Sequence, residues 1–354
     1  MKKIVSAAVL AVIGLVALEM VSSFVLFHYF AHGQKSFRPE RSAIWMLVAK
    51  AIDTAHGVHP KTALSVDHGP MFETDETLGY VFVPGRYRIR EDFKEHHHGF
   101  TVTVNAQGRR VTSNGVIASK KRIFVSGSSS MLGWGLYDEE TIPWLMQERL
   151  PTYDVINLSL TSYSTVHALM QLQAVSPAVS ADDIVVIEYQ RLSNRLNVMS
   201  SDVLDLLTEG YEVTLGDSGR MRKMQLPFGS VDAQGKLSIQ KIALSCLHVP
   251  AGPGCSRPPF DLAAALQVTE RTIQEIVALH PGHVVVAVLS CDDDDAVLAY
   301  LRSLGVTIAD LRVRNGFPIN TGDLMPTNSH YGPFWGHELA DRLIEVMQER
   351  HVVD

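Results

Sequence analysis

The chain has 354 residues, enough to bury a full core. Its 31 Lys and Arg against 38 Asp and Glu leave a net charge of −7, and no basic stripe appears, which argues against nucleic acid as a partner. Three cysteines are too few for a disulfide scaffold.

The N-terminus opens with two lysines, and residues 4–30 are mostly apolar. At 1.5 Å per residue such a run crosses a hydrocarbon core of roughly 30 Å. It is interrupted by Glu19 and resumes through Phe30, with no small-x-small cleavage site at the usual distance. A retained signal-anchor over residues 1–30 is therefore expected in place of a cleaved signal peptide. The chain is then single-pass in the inner (cell) membrane, with its folded part on the periplasmic, extracytoplasmic side. Lys35, Arg38 and Arg41 on the far flank blunt the positive-inside bias of Lys2 and Lys3. Glu19 either faces a partner helix or snorkels.

Residues 31–70 read as a stalk or linker with one short apolar helix, "AIWMLVAKAI". Residues 71–120 read as a small β-rich segment, because "LGYVFVPGRYRIRE" and "GFTVTVNAQGRRV" alternate apolar and polar residues with period two. Between them "KEHHHGF" reads as a solvated hairpin tip. Three consecutive histidines cannot share one strand face, and no second ligand cluster accompanies them.

From Lys121 to Asp354 the rhythm is strand then helix. "RIFVSG", "YDVINLSL", "DIVVIEYQ", "HVVVAVLSC" and "VTIADLRV" are apolar strands. "TIPWLMQERL", "STVHALMQLQAV", "LAAALQVTERTIQEIVALH", "AVLAYLRSLG" and "HELADRLIEVMQER" are helices. Continuous apolar strands between amphipathic helices predict an α/β fold, a parallel sheet covered on both faces in three α/β/α layers. Residues 195–260 break the rhythm and read as an inserted lid or cap. Inside this stretch Cys246 and Cys255 bracket "CLHVPAGPGC", a loop that a disulfide could close, whereas Cys291 ends an apolar run and reads as a buried thiol. The acidic run 292–295 is placed to complement a helix N-terminus.

The informative stretch is "RIFVSGSSSMLGWGLYDEETIPWLMQERL", Arg122 to Leu150. Three serines sit in a strand-to-helix turn, with Thr141, Pro143 and acidic residues opening the helix that follows. Free backbone N–H groups converge at such turns, so a hydroxyl there could attack a carbonyl while the N–H groups hold the oxyanion. Serine is also simply a good turn former.

These residues resemble the first blocks of the SGNH (GDSL-type) hydrolases, a Gly-Asp-Ser turn followed by Gly-x-Gly, a helix, and a strand ending in Asn-x-Gly. Gly127, Ser129, Gly133 and Gly135 fall in that register, and the β-rich segment resembles that of membrane-anchored members. The resemblance implies a flavodoxin-like parallel sheet, with Ser129 as nucleophile. It further implies an oxyanion hole from the N–H of Ser129, the N–H of Ser159 and the side chain of Asn194. His330 in "TNSHYGPFWGHELADRL" takes the place of the catalytic His, with His337 a weaker candidate.

The pattern departs from the family at named positions. Ser128 replaces the aspartate of the turn, and Ser159, Ser162 and Ser164 stand where glycines are common. Thr327 and Asn328 occupy the place of the acid before the His, a role Asp323 takes if its loop folds back. In a Ser-His-Asp triad the acid is worth roughly 10⁴ in turnover.

The expected function is a membrane-anchored serine esterase acting on an acylated small molecule or carbohydrate, without cofactor or metal. An O-acyltransferase of surface polysaccharide and a catalytically silent binding or scaffolding protein are the alternatives.

Overall fold

The computed structural model describes residues 63–354 apart from 68, 94–95, 116, 120, 176–178, 201–223 save 203 and 207, 245–259, 290–294, 313–329 and 331. The expected anchor, most of the stalk, Cys246, Cys255, Cys291, Asp323, Thr327 and Asn328 lie outside these residues. No helix among the described residues is long and apolar enough to cross a membrane. Residues 62–354 form one compact unit.

Its N-terminal part is antiparallel. Strands β1 (Ala63–Val66), β4 (Gly85–Phe93) and β5 (His96–Val104) form one sheet in the order β1-β4-β5, and β2 (Phe72–Asp75) pairs with β3 (Gly79–Phe82). The period-two pattern turns Tyr87, Ile89, Phe100 and Val102 inward, where they share a core with Phe72, Tyr80 and Phe82. Leu132, at the end of a short helix of the α/β part, and Trp134, Leu160 and Tyr163, from its loops, belong to the same core. The histidines are not a free hairpin tip. They lie on β5, where His97 is exposed beside Asp92 and half-buried His98 directs Nε2 at the Gly135 carbonyl oxygen.

The remaining elements follow as β6 (Lys121–Ser126), α1 (Ser129–Leu132), α2 (Ile142–Arg149), β7 (Tyr153–Asn157), α3 (Thr165–Val175), β8 (Ile184–Tyr189), α4 (Arg191–Asn197), β9 (Gln225–Val231), β10 (Leu237–Ala243), α5 (Leu262–Leu279), β11 (His283–Val288), α6 (Asp295–Ser303), β12 (Thr307–Asp310) and α7 (Pro333–Glu349). Five strands pair in parallel in the order β7-β6-β8-β11-β12. Numbered within the sheet this is 2-1-3-4-5, the flavodoxin-like order, whose switch point lies between β6 and β8.

Strand β8 is buried at every position because both sheet faces are covered. On one face α2 and α7 bring Ile142, Leu145, Leu339 and Leu343 onto Ile123, Val125 and Val186. On the other, α3 and α5 bring Val166, Leu169, Val268 and Ile276 onto Phe124, Val185 and Ile187, and α6 packs beside them with Leu298 and Leu301 near Val286 and Val288. Each such side chain stabilises the fold by roughly 1.5–3 kcal/mol on burial.

Two expectations change. Residues 138–140 do not merely start a helix electrostatically: they form a 3-10 turn of their own, Asp138 is buried, and Thr141 caps α2 by accepting from the Trp144 N–H. The described part of the 195–260 stretch is the end of α4 and the β9–β10 hairpin. That hairpin sends Met224 and Leu226 into the antiparallel core and Leu237 into the α3–α5 core, so it is built into the body and not laid over it.

Candidate active site

The serine turn follows β6 directly. Ser128 caps α1, Ser129 is its first residue, and Gly133 ends it at φ +81°. Glycine is required at both ends. A Cβ on Gly127 would stand 2.3 Å from Glu188 Oε2, and one on Gly133 would stand 2.5 Å from Thr141 Cγ2 in a left-handed conformation.

A buried carboxylate sits under the turn. Glu188, on β8, accepts from Ser128 N (2.6 Å) and Met131 N (3.3 Å) through Oε2, and from Ser128 Oγ (2.8 Å) through Oε1. Gln190, just past β8, donates Nε2–H to Ser128 Oγ at 2.7 Å. Ser128 thus spends its hydroxyl on the carboxylate, and it stands where the family carries aspartate. Burial raises the Glu188 pKa, while the bonds from Ser128 and Met131 pull it down.

The middle serine is the one that meets the histidine. Ser129 Oγ lies 2.7 Å from His330 Nε2 across 201 residues of sequence, and both side chains are half-buried. His330 lies just before α7, whose packing on α2 fixes where that segment returns to the sheet. His337 is a turn further along α7, exposed, with Nδ1 3.4 Å from Arg149 Nη2, and so is not the partner of Ser129. Asp323 lies outside the described residues.

Of the three assigned oxyanion donors, two already have partners within the protein. Among the described residues no hydrogen bond takes the Ser129 N–H, which leaves it available. The Ser159 N–H donates to Asn157 Oδ1 at 3.0 Å. Asn194 is fully buried, donating to Tyr189 Oη (3.1 Å) and accepting from Thr269 Oγ1 (2.6 Å). Asn194 is the fourth residue of α4, and its side chain is spent on Tyr189 and on Thr269 of α5. Of the serines that replace glycines, Ser162 takes a positive φ, 59°, whereas Ser159 and Ser164 do not.

Sequence reasoning missed Glu188, Gln190 and Arg110. Glu188 had a signal, a lone carboxylate in the apolar strand "IVVIEY". Arg110, in "GRRV", is fully buried and donates to the carbonyls of Leu132, Gly133, Leu136 and Thr101 and to Asp138. It anchors the loop that leaves α1. Trp134 Nε1–H donates to Glu91 Oε1 at 2.7 Å, a second tie from the same loop to the antiparallel sheet.

No protein-family model matches the chain, and no curated protein does. Among solved structures the chain is similar to a lipolytic protein of the G-D-S-L family from Veillonella parvula, at 9% identity over 64% of this chain and 98% of that one, with a TM-score of 0.39. It is similar to TesA at 13% identity over 66% and 99%, TM-score 0.38. A third is the psychrotrophic esterase EstA from Pseudoalteromonas sp., at 11% identity over 65% and 98%, TM-score 0.37. Two of these three solved structures are a lipolytic protein and an esterase.

Proposed function

We propose that the chain is a serine esterase in which Ser129 attacks an ester carbonyl and His330 carries the proton. The observation behind this reading is the 2.7 Å contact between Ser129 Oγ and His330 Nε2 at the carboxyl end of β6, where open parallel sheets bind their ligands. With its proton on Nδ1, His330 accepts the hydroxyl proton through Nε2 as Oγ bonds to the carbonyl carbon. Negative charge moves to the carbonyl oxygen, for which the Ser129 N–H is a donor. The imidazolium then protonates the leaving alkoxide. Water, deprotonated by the same nitrogen, releases the acyl group as a carboxylic acid and restores the serine.

Ser129 and His330 are each only partly buried, so water has access to the acyl-enzyme and can release the acyl group. The apolar run over residues 4–30 supports an anchor that holds this site at the extracytoplasmic face of a membrane.

A fluorophosphonate probe with peptide mass spectrometry tests the reading. Label is expected on Ser129, lost in His330→Ala and kept in His337→Ala. Label on Ser128 or Ser130, or undiminished label in His330→Ala, refutes it.

A further inference from the structure

A cavity of about 390 Å³ opens at the edge of the parallel sheet, between the β2–β3 hairpin, the 105–109 loop and α3. Its walls are mostly apolar, with Leu78, Phe82, Leu158 and Val175 among them, and neither Ser129 nor His330 lines it. The size falls within the range of small-molecule pockets, roughly 300–1,000 Å³.

Two lining residues carry donors that no hydrogen bond among the described residues takes up. Arg109 is half-buried, and no hydrogen bond or ion pair takes its guanidinium among the described residues. Burial pulls its pKa below the ordinary value, with Asp154 acting against this from a distance. Asn157 uses Oδ1 to hold the Ser159 N–H, while its buried Nδ2 has no hydrogen-bond partner among the described residues. Desolvated donors of this kind are costly unless an acceptor meets them. Glu73, the other charged lining residue, is exposed and remains hydrated.

We propose that this cavity binds a small amphiphile with an apolar body and one carboxylate, the carboxylate resting on Arg109 and the apolar body against Leu78, Phe82, Leu158 and Val175. A medium-chain fatty acid has this chemistry. The site shares the Asn157–Leu160 loop with the serine turn, since Leu160 N–H donates to the Gly127 carbonyl at 3.1 Å, but it does not depend on Ser129 being a nucleophile.

The test is calorimetric titration of the full-length chain carrying Ser129→Ala with sodium octanoate, with octanol and octylamine as comparisons. Octanoate is expected to bind saturably. Arg109→Gln should weaken it about tenfold or more, as loss of a charge-assisted bond implies, and Arg109→Lys should restore part of the affinity. Ala174→Trp, at an exposed lining position, should block binding by covering the opening. Melting curves select the variants that fold, and the two substitutions act on different walls, so either suffices if the other misfolds. Absence of saturable octanoate binding at millimolar concentration, octanol or octylamine binding as tightly as octanoate, or unchanged affinity in a folded Arg109→Gln or Ala174→Trp overturns the proposal.

Discussion

Arg110 donates through Nε to Asp138 Oδ1 at 2.9 Å, and this buried pair fastens the antiparallel part of the chain to the loop leaving the serine turn. The remaining guanidinium N–H groups go to backbone carbonyls of Leu132, Gly133, Leu136 and Thr101. One side chain therefore ties β5 to the far end of α1. Removing it leaves the buried Asp138 carboxylate with the Thr103 N–H as its donor among the described residues and takes the guanidinium from four carbonyls, which costs up to about 3–5 kcal/mol. Arg110→Ala should lower the denaturant midpoint accordingly, and Arg110→Lys, with one point charge in place of a planar fork, should recover only part of it. An Arg110→Ala protein as stable as wild type would show that the pair contributes nothing.

A second prediction concerns acid. His167 is fully buried, stacks on Tyr163 with ring centroids 4.2 Å apart, and its Nδ1 accepts from the Ser164 N–H. Burial, only partly offset by the Leu78 backbone, pushes its pKa down to about 3 from the ordinary 6.5. The folded state therefore refuses a proton that the unfolded chain binds. The stability involved is fully present above pH 6.5 and falls as the pH drops from 6.5 toward 3, with a slope of about 1.4 kcal/mol per pH unit. Equilibrium unfolding of wild type and His167→Phe across this window should differ by that slope. Parallel curves would mean the histidine is not the group responsible.

How far the sequence revealed all this follows from what each signal depends on. The strands of the parallel sheet were legible because burial on two faces demands unbroken apolar runs such as "IVVIEY", and a pattern that local cannot be masked by tertiary context. The serine turn was legible for the same reason, as a strand-to-helix turn, although which of its three serines matters came only from the family register. His330 required the family register, since nothing local marks it. Asn194 was assigned by register alone, and spacing does not tell on which side of a helix a residue falls, since a shift of the α4 start by one or two positions rotates it by 100–200° at roughly 3.6 residues per turn. Arg110 was invisible because its partners are mostly carbonyls, which every residue has.

Ser162 provides a test of strain. Its φ of 59° is left-handed, a conformation that costs a non-glycine residue roughly 1–2 kcal/mol. Ser162→Gly removes that cost and adds the entropy of a more flexible unfolded chain, so a net stabilisation of up to about 1 kcal/mol is expected in thermal or chemical unfolding. A destabilised Ser162→Gly would assign the Ser162 side chain a contact worth more than the strain.

Beneath the proposed nucleophile lies a buried carboxylate, Glu188. Ser128 Oγ is approached by Gln190 Nε2–H at 2.7 Å and Ser130 N–H at 3.4 Å, so its own proton points to Glu188 Oε1, and the two Oε2 bonds fix the backbone on either side of Ser129. Glu188 is thus a positioning residue: it touches no reacting atom but sets where Ser129 Oγ stands relative to His330. Glu188→Ala removes the acceptor from Ser128 N and Met131 N, leaving two buried donors at a cost of about 1–3 kcal/mol each, and frees the turn to shift. A displacement of about 1 Å at a nucleophile costs roughly 10²-fold in turnover. Glu188→Gln keeps an oxygen for the two N–H groups and turns its NH₂ toward Ser128 Oγ, so it should fold better than Glu188→Ala and lose less activity. Both variants should lower kcat on a p-nitrophenyl ester while leaving KM close to wild type, because the ester is not touched by the carboxylate. A rise in KM with kcat unchanged would place Glu188 in substrate binding, and activity unaffected in a folded Glu188→Ala would mean that the turn holds Ser129 in place without it.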